Sequence, residues 1–160
     1  NFNNLVIRKS IHAIRKLDPA TGAVGESLPG RRGILESVAF SGDSLWYVTP
    51  TREGCRLVCE NLRTQQVTRD FALPRKETRA PAIACTADAI WMVEAGPSPT
   101  LNKLDPVDGH IIVSLEGPWR YPMALSADGD HTIWLVSHLD TTAYRIDVSP
   151  AALAAGARRP

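Results

Sequence analysis

Four histidines (His12, His110, His131, His138) and three cysteines (Cys55, Cys59, Cys85) are the side chains best suited to proton transfer, nucleophilic attack or metal binding. General acid–base work needs a histidine within hydrogen-bond reach of a carboxylate or of the reacting atom. No paired carboxylate can be fixed beside His12 or His138. His12 and His138 lie near matching connections of a repeated pattern and stay candidates. His110 opens a strand and His131 sits in a turn, where both read as structural or solvated. Cys55 and Cys59 are four apart on an extended run, hence on one face. Zinc asks for four ligands, and nothing nearby supplies the other two. An odd cysteine count without framework spacing argues against a disulfide scaffold, so the thiols are expected as buried small hydrophobes. Glu36 is the one inner-strand acid, whereas a hard divalent cation takes several oxygens. No catalytic residue, metal or cofactor is therefore expected.

Recognition chemistry is better represented. The stretch Pro118-Trp119-Arg120-Tyr121-Pro122 puts three residue types enriched in binding hot spots next to one another. Trp119 falls outside the spacing kept by Trp46, Trp91 and Trp134. It reads either as a partner-binding aromatic or as packing over the end of the last repeat unit. Glu36 and Arg79 precede apolar runs at nearly equivalent places, and Arg120 and Tyr121 are their counterparts further along. With Arg31 and Arg32 in a Pro/Gly loop, these seven residues form the candidate partner-binding set.

The elements that must position them repeat. Asp18, Asn61, Asp105 and Asp147 each follow an apolar run. The first three open the turns DPATG, NLRTQ and DPVDG, in which Pro presets φ and Gly accepts positive φ. The tryptophans lie in LWYV (45–48), IWMV (90–93) and IWLV (133–136). Ala-centred runs precede them: VAFS (38–41), IACT (83–86) and MALS (123–126). The period is about 40 to 45 residues, the length of a four-stranded propeller blade. The Ala-centred run is the first, innermost strand. The Trp run is the second, the run into Asp or Asn the third, and the run after the turn the fourth.

An apolar inner strand, a short Asp/Gly turn, an Ile-Trp-x-Val strand and then Leu-Asp-Pro-x-x-Gly resembles the repeats of NHL-type and virginiamycin-B-lyase-like β-propellers. The resemblance covers nearly the whole chain. It implies an all-β fold of four-stranded antiparallel blades, roughly four, two of them complete: a partial blade at 1–28, blades at 34–73 and 80–115, and a partial blade at 121–148. Residues 150–160 are expected to be a flexible tail or linker. Enzymes among similar propellers place histidines, carboxylates and a divalent metal around a central channel; other NHL-type propellers bind RNA. An arc of this length leaves the apolar flanks of its end blades open. The chain is thus expected to be a portion of a larger ring, to close a ring with other copies, or to form a small ring alone.

With 160 residues, 44% of them hydrophobic, and a formal net charge of +1, composition suits a globular domain with a real core. No run approaches the ~20 apolar residues that cross a bilayer, so no membrane partner is expected. Propeller topology sorts the connections onto two faces. Arg8, Lys9, Arg31, Arg32, Arg52, Arg75, Lys76, Arg79 and Arg120 gather on one, and most aspartates on the other with Arg63 as the one clear cation. Asp is ordinary turn chemistry; turns do not ask for Arg. The leading expectation is a non-enzymatic binding or scaffold propeller that presents its basic loop face to a protein or anionic ligand. Part of a lyase- or lactonase-like enzyme is the alternative, and RNA binding the third, since only Trp119 and Tyr121 offer stacking there.

Overall fold

The computed structural model describes residues 14–27, 35–74, 81–94 and 99–156. The chain divides into two compact units, 1–35 and 36–160. In the first, β1 (Arg15–Leu17) and β2 (Val24–Ser27) pair antiparallel as a hairpin. Its turn is built by Asp18, whose carboxylate accepts from the N–H groups of Ala20 at 2.8 Å and Thr21 at 3.1 Å.

The second unit holds three antiparallel sheets in chain order. Blade two comprises β3 (Ser37–Ser41), β4 (Ser44–Pro50), β5 (Gly54–Asn61) and β6 (Val67–Pro74). Blade three comprises β7 (Ala82–Cys85), β8 (Ile90–Val93), β9 (Thr100–Leu104) and β10 (Ile111–Glu116). Blade four has three described strands, β11 (Pro122–Asp128), β12 (Thr132–Ser137) and β13 (Ala143–Asp147). Every sheet is a meander, each strand pairing with the next in sequence, and the first strands β3, β7 and β11 stand side by side.

The repeat holds at the level of single hydrogen bonds. The side-chain oxygens of Asp18, Asn61, Asp105 and Asp147 each accept from the N–H two residues on, at 2.8, 2.9, 2.6 and 2.9 Å. At the first three, the backbone then closes through Gly22, Gln65 and Gly109, all with positive φ. Glycine takes that conformation freely, whereas a side chain is strained in it.

Period-two alternation gives each blade two apolar faces. Trp46 and Val48 of β4 face blade three, where they pack with Ile83, Ile90, Met92 and Leu104. On the other side of blade three, Ala84, Trp91, Val93 and Leu101 meet Ile133 and Leu135 of β12. Two cores therefore sandwich one sheet. Polar clasps tie the blades as well: the Ile83 N–H donates to Ser37 Oγ at 3.0 Å, and the Ala87 N–H to the Asp130 carboxylate at 3.0 Å.

Two expectations need correction. The spacing places Trp134 in the core with Trp46 and Trp91. These two are 4% and 1% exposed, but Trp134 is 37% exposed, because no described sheet follows blade four on that side. Part of the expected flexible tail is helical: α1 spans Pro150–Gly156. Ser149 caps it, its hydroxyl accepting from the Ala152 N–H at 3.3 Å, and Pro150 occupies the first turn, where its missing N–H costs nothing. Leu153 packs onto the second core.

Candidate partner-binding loop

The loop between β10 and β11 is held at each of its three central residues. Trp119 turns inward, is 6% exposed and joins the core between blades three and four. Its Nε1–H donates to the Pro99 carbonyl at 3.1 Å, and its ring meets Tyr144 edge-on at 6.0 Å. The Tyr144 hydroxyl in turn donates to the Asp140 carboxylate. Gly117 makes room for the indole: a Cβ there would lie 2.0 Å from the Trp119 ring. Arg120 is gripped by its backbone, its N–H donating to Ser137 Oγ at 3.0 Å while that buried hydroxyl donates to the Arg120 carbonyl. Tyr121 has φ of 49°, and its carbonyl accepts from the His138 N–H at 3.1 Å. This anchoring leaves both Arg120 and Tyr121 exposed, Tyr121 by 42%. Beside them lies a cleft of about 350 Å³ bordered by Thr100, Glu116, Pro118 and Arg120.

Of the other sequence candidates, Glu36 is exposed, and its N–H donates to the Val48 carbonyl at 3.1 Å. Arg31, Arg32, Arg79 and His12 lie outside the described residues. His138 is exposed, and its backbone N–H supports Tyr121. The sequence gives no sign that Ser137 would grip the loop; the nearest signal is a small polar residue ending a strand otherwise made of apolar alternation.

The aspartate turns behave as their spacing implies. Asp105, Asp108 and His110 bring ligand-type atoms within 4.8 Å of one another, but the carboxylates serve the turn. Asp105 accepts from Val107, and Asp108 accepts from the His110 N–H and meets His110 Nδ1 at 2.5 Å. The His110 N–H, ahead of its imidazole, holds the Asp108 carboxyl below its ordinary range. Arg63 pairs with Asp43 at 2.8 Å. Lys103 pairs with Asp88 at 2.7 Å and stands 5.9 Å from the Trp91 ring centroid, so Arg63 is not the one cation among these acids. The three thiols are free. All three pack in or against the core between blades two and three, and burial pushes the Cys85 thiol up to about 12.

Compared with family models and with curated proteins, the sequence matches none. Solved structures do resemble it. TolB from Acinetobacter baumannii aligns with a TM-score of 0.60 and 18% identity over 86% of this chain and 36% of its own. The Myxococcus xanthus glutaminyl cyclase aligns at 0.59 and 17% over 84% and 57%. The WD40 domain of Neurospora crassa Pan2 aligns at 0.55 and 12% over 94% and 46%. This chain thus spans between about a third and somewhat over half of each of those chains. At such identities the likeness concerns the fold, and the fold is that of a partial all-β propeller.

Proposed function

We propose that the chain is a binding or scaffold β-propeller, of the NHL-like repeat type its sequence resembles, that presents a basic loop face to an acidic protein segment. One observation carries the reading: residues 119–121 are anchored by a buried indole and by two backbone clasps, while the Arg120 and Tyr121 side chains are turned out. An ordered arginine and tyrosine on a fixed loop bind with little entropy left to lose. The guanidinium supplies a planar fork for carboxylates. In the repeat pattern of the sequence Arg31, Arg32 and Arg79 fall in connections of the same class as this loop, with Glu36 as an acid close by in sequence to Arg31 and Arg32. Trp119 supports the site from beneath instead of touching the partner.

The test is retention of the chain on immobilised poly-glutamate. Wild type is expected to bind and to elute with salt. Arg120→Ala/Tyr121→Ala should lose most of that retention with unchanged thermal stability, since both side chains are exposed. Equal retention of the double variant would remove this loop from the site. Tighter binding to a single-stranded RNA, with a steep salt dependence, would replace the protein partner by RNA.

A further inference from the structure

Blades two and three share a plan and differ at two places beside their tryptophans. Trp46 pairs across its sheet with Cys59, and Trp91 with Lys103. Leu57 pairs outward with Phe71, and Leu101 with Leu115. Around Trp46 the junction is filled. Phe71 stacks on the indole at 6.2 Å, and Gly109 of the blade-three turn comes so near that a Cβ would lie 2.8 Å from the Phe71 ring. Around Trp91 a leucine stands for the phenylalanine and a lysine for the cysteine. The closing turn departs as well. Asp147 matches Asp105, but beyond Val148 the backbone enters α1 in place of a turn closed by a glycine.

These departures leave a cleft of about 320 Å³ between blades three and four, at the lower end of the sizes ligand pockets take. Its apolar lining is the Trp91 ring with Val148, Pro150 and Leu153. Lys103 also lines it, with a side chain only 15% exposed. The lysine carries three N–H groups, of which Asp88 takes one, and the buried Trp91 Nε1–H meets no acceptor among the described residues. A buried donor without an acceptor is costly, so this side of the cleft calls for a guest that brings oxygen. At the opposite rim the charge is reversed. Lys103 and Asp88 cancel, which leaves the exposed carboxylate of Asp130, with one oxygen engaged by the Ala87 N–H.

We propose that this cleft binds a free α-amino acid with an aliphatic side chain. Its carboxylate meets Lys103, its ammonium meets Asp130, and its side chain lies against Trp91, Val148 and Leu153. The site does not rest on the Arg120 loop.

Titration calorimetry with L-leucine is the test, with L-leucinamide and isocaproate as probes that each lack one charged end. Leucine should bind saturably at a single site. Each probe should bind at least about tenfold more weakly, the worth of one charge-assisted hydrogen bond. Lys103→Met keeps the apolar stem, and Asp130→Asn keeps an acceptor for Ala87; both should weaken leucine binding to a similar degree, while Arg120→Ala/Tyr121→Ala binds it like wild type. If Lys103→Met does not fold, acetic anhydride labelling of wild type takes its place: leucine should protect Lys103 from acetylation, read by mass spectrometry. No saturable heat up to the solubility of leucine overturns the proposal, as does isocaproate binding as tightly as leucine. Lys103 acetylated equally with and without leucine would overturn it too.

Discussion

Truncating Trp91 and truncating Trp134 delete the same side chain from the same position of two successive blades, yet the structure sets very different costs. Trp91 is 1% exposed and shares one core with Val93, Leu101, Trp119, Ile133 and Leu135. Replacing a fully buried large aromatic by Ala costs ~3–5 kcal/mol through lost transfer energy and the cavity left behind. The Lys103 ammonium also loses the ring beneath it, a contact of ~0.5–1 kcal/mol where partly exposed. Trp91 Nε1 makes no hydrogen bond among the described residues, so the cost is one of packing, and Trp91→Phe should recover a good part of it. Trp134 faces away from that core. Its truncation should cost roughly 1 kcal/mol, within the range of partly exposed positions. In a domain of this size ~1 kcal/mol moves Tm by about 2–4 °C. Trp91→Ala should therefore melt ~7–24 °C below wild type and Trp134→Ala only a few degrees below. The assay is urea and thermal unfolding at the lowest workable protein concentration, so that self-association adds nothing. Equal losses for the two variants would refute the blade-junction account of stability.

Four other outcomes are expected. Gln65 holds φ of 57° where the equivalent turns use Gly22 and Gly109. Gln65→Gly should stabilise by ~0.5–1 kcal/mol, the relief of left-handed strain less the added freedom of the unfolded chain. Gly109→Ala should destabilise by roughly 2–4 kcal/mol, from the same strain and from a Cβ placed 2.8 Å from Phe71; unfolding curves that show the opposite signs would sink the turn equivalence. Iodoacetamide at pH 8 should leave Cys85 unmodified in the folded protein and label it in urea, since burial holds its thiol at about 12; rapid native labelling seen by mass spectrometry would contradict its place against the core. Asp88 is lowered first by Lys103, and Asp18 and Asp147 first by backbone N–H groups. A carboxyl lowered by folding is protonated more readily in the unfolded chain. Its contribution is therefore complete above the unfolded value near 4 and is lost as pH falls through the folded value. Stability measured from pH 6 down to 2 should fall below about pH 4, and less steeply in Asp88→Asn; an unchanged acid limb in that variant would count against the Lys103 pairing.

Much of the fold was legible because each repeat carries its own local instructions. Asp18, Asn61, Asp105 and Asp147 each follow an apolar run in the sequence, and all four make the same side-chain-to-backbone bond. The regular spacing of the tryptophans reads as core, which is right for Trp46 and Trp91. It misleads for Trp134, because IWLV is nearly IWMV, and burial depends on a neighbouring sheet that local sequence does not encode. Trp119 shows a related limit. Its neighbours Arg120 and Tyr121 announce an exposed recognition loop, but the indole is claimed by Pro99, Tyr144 and the space above Gly117, contacts up to some 25 residues away. The helix at Pro150–Gly156 was within reach. Ser149 followed by Pro and an alanine-rich run is an N-cap signature, outweighed by the low complexity of AALAAGARRP.

Blade three belongs to both cores at once: Ile90 and Met92 point into one, and Trp91 and Val93 into the other. Its second strand is consequently the deepest layer of the described array, insulated on either side by a sheet. In native-state hydrogen exchange the amides of β8 should be the last to yield their protons. Protection should then decline outward through the neighbouring blades toward Trp134, a gradient along the array in place of a single plateau.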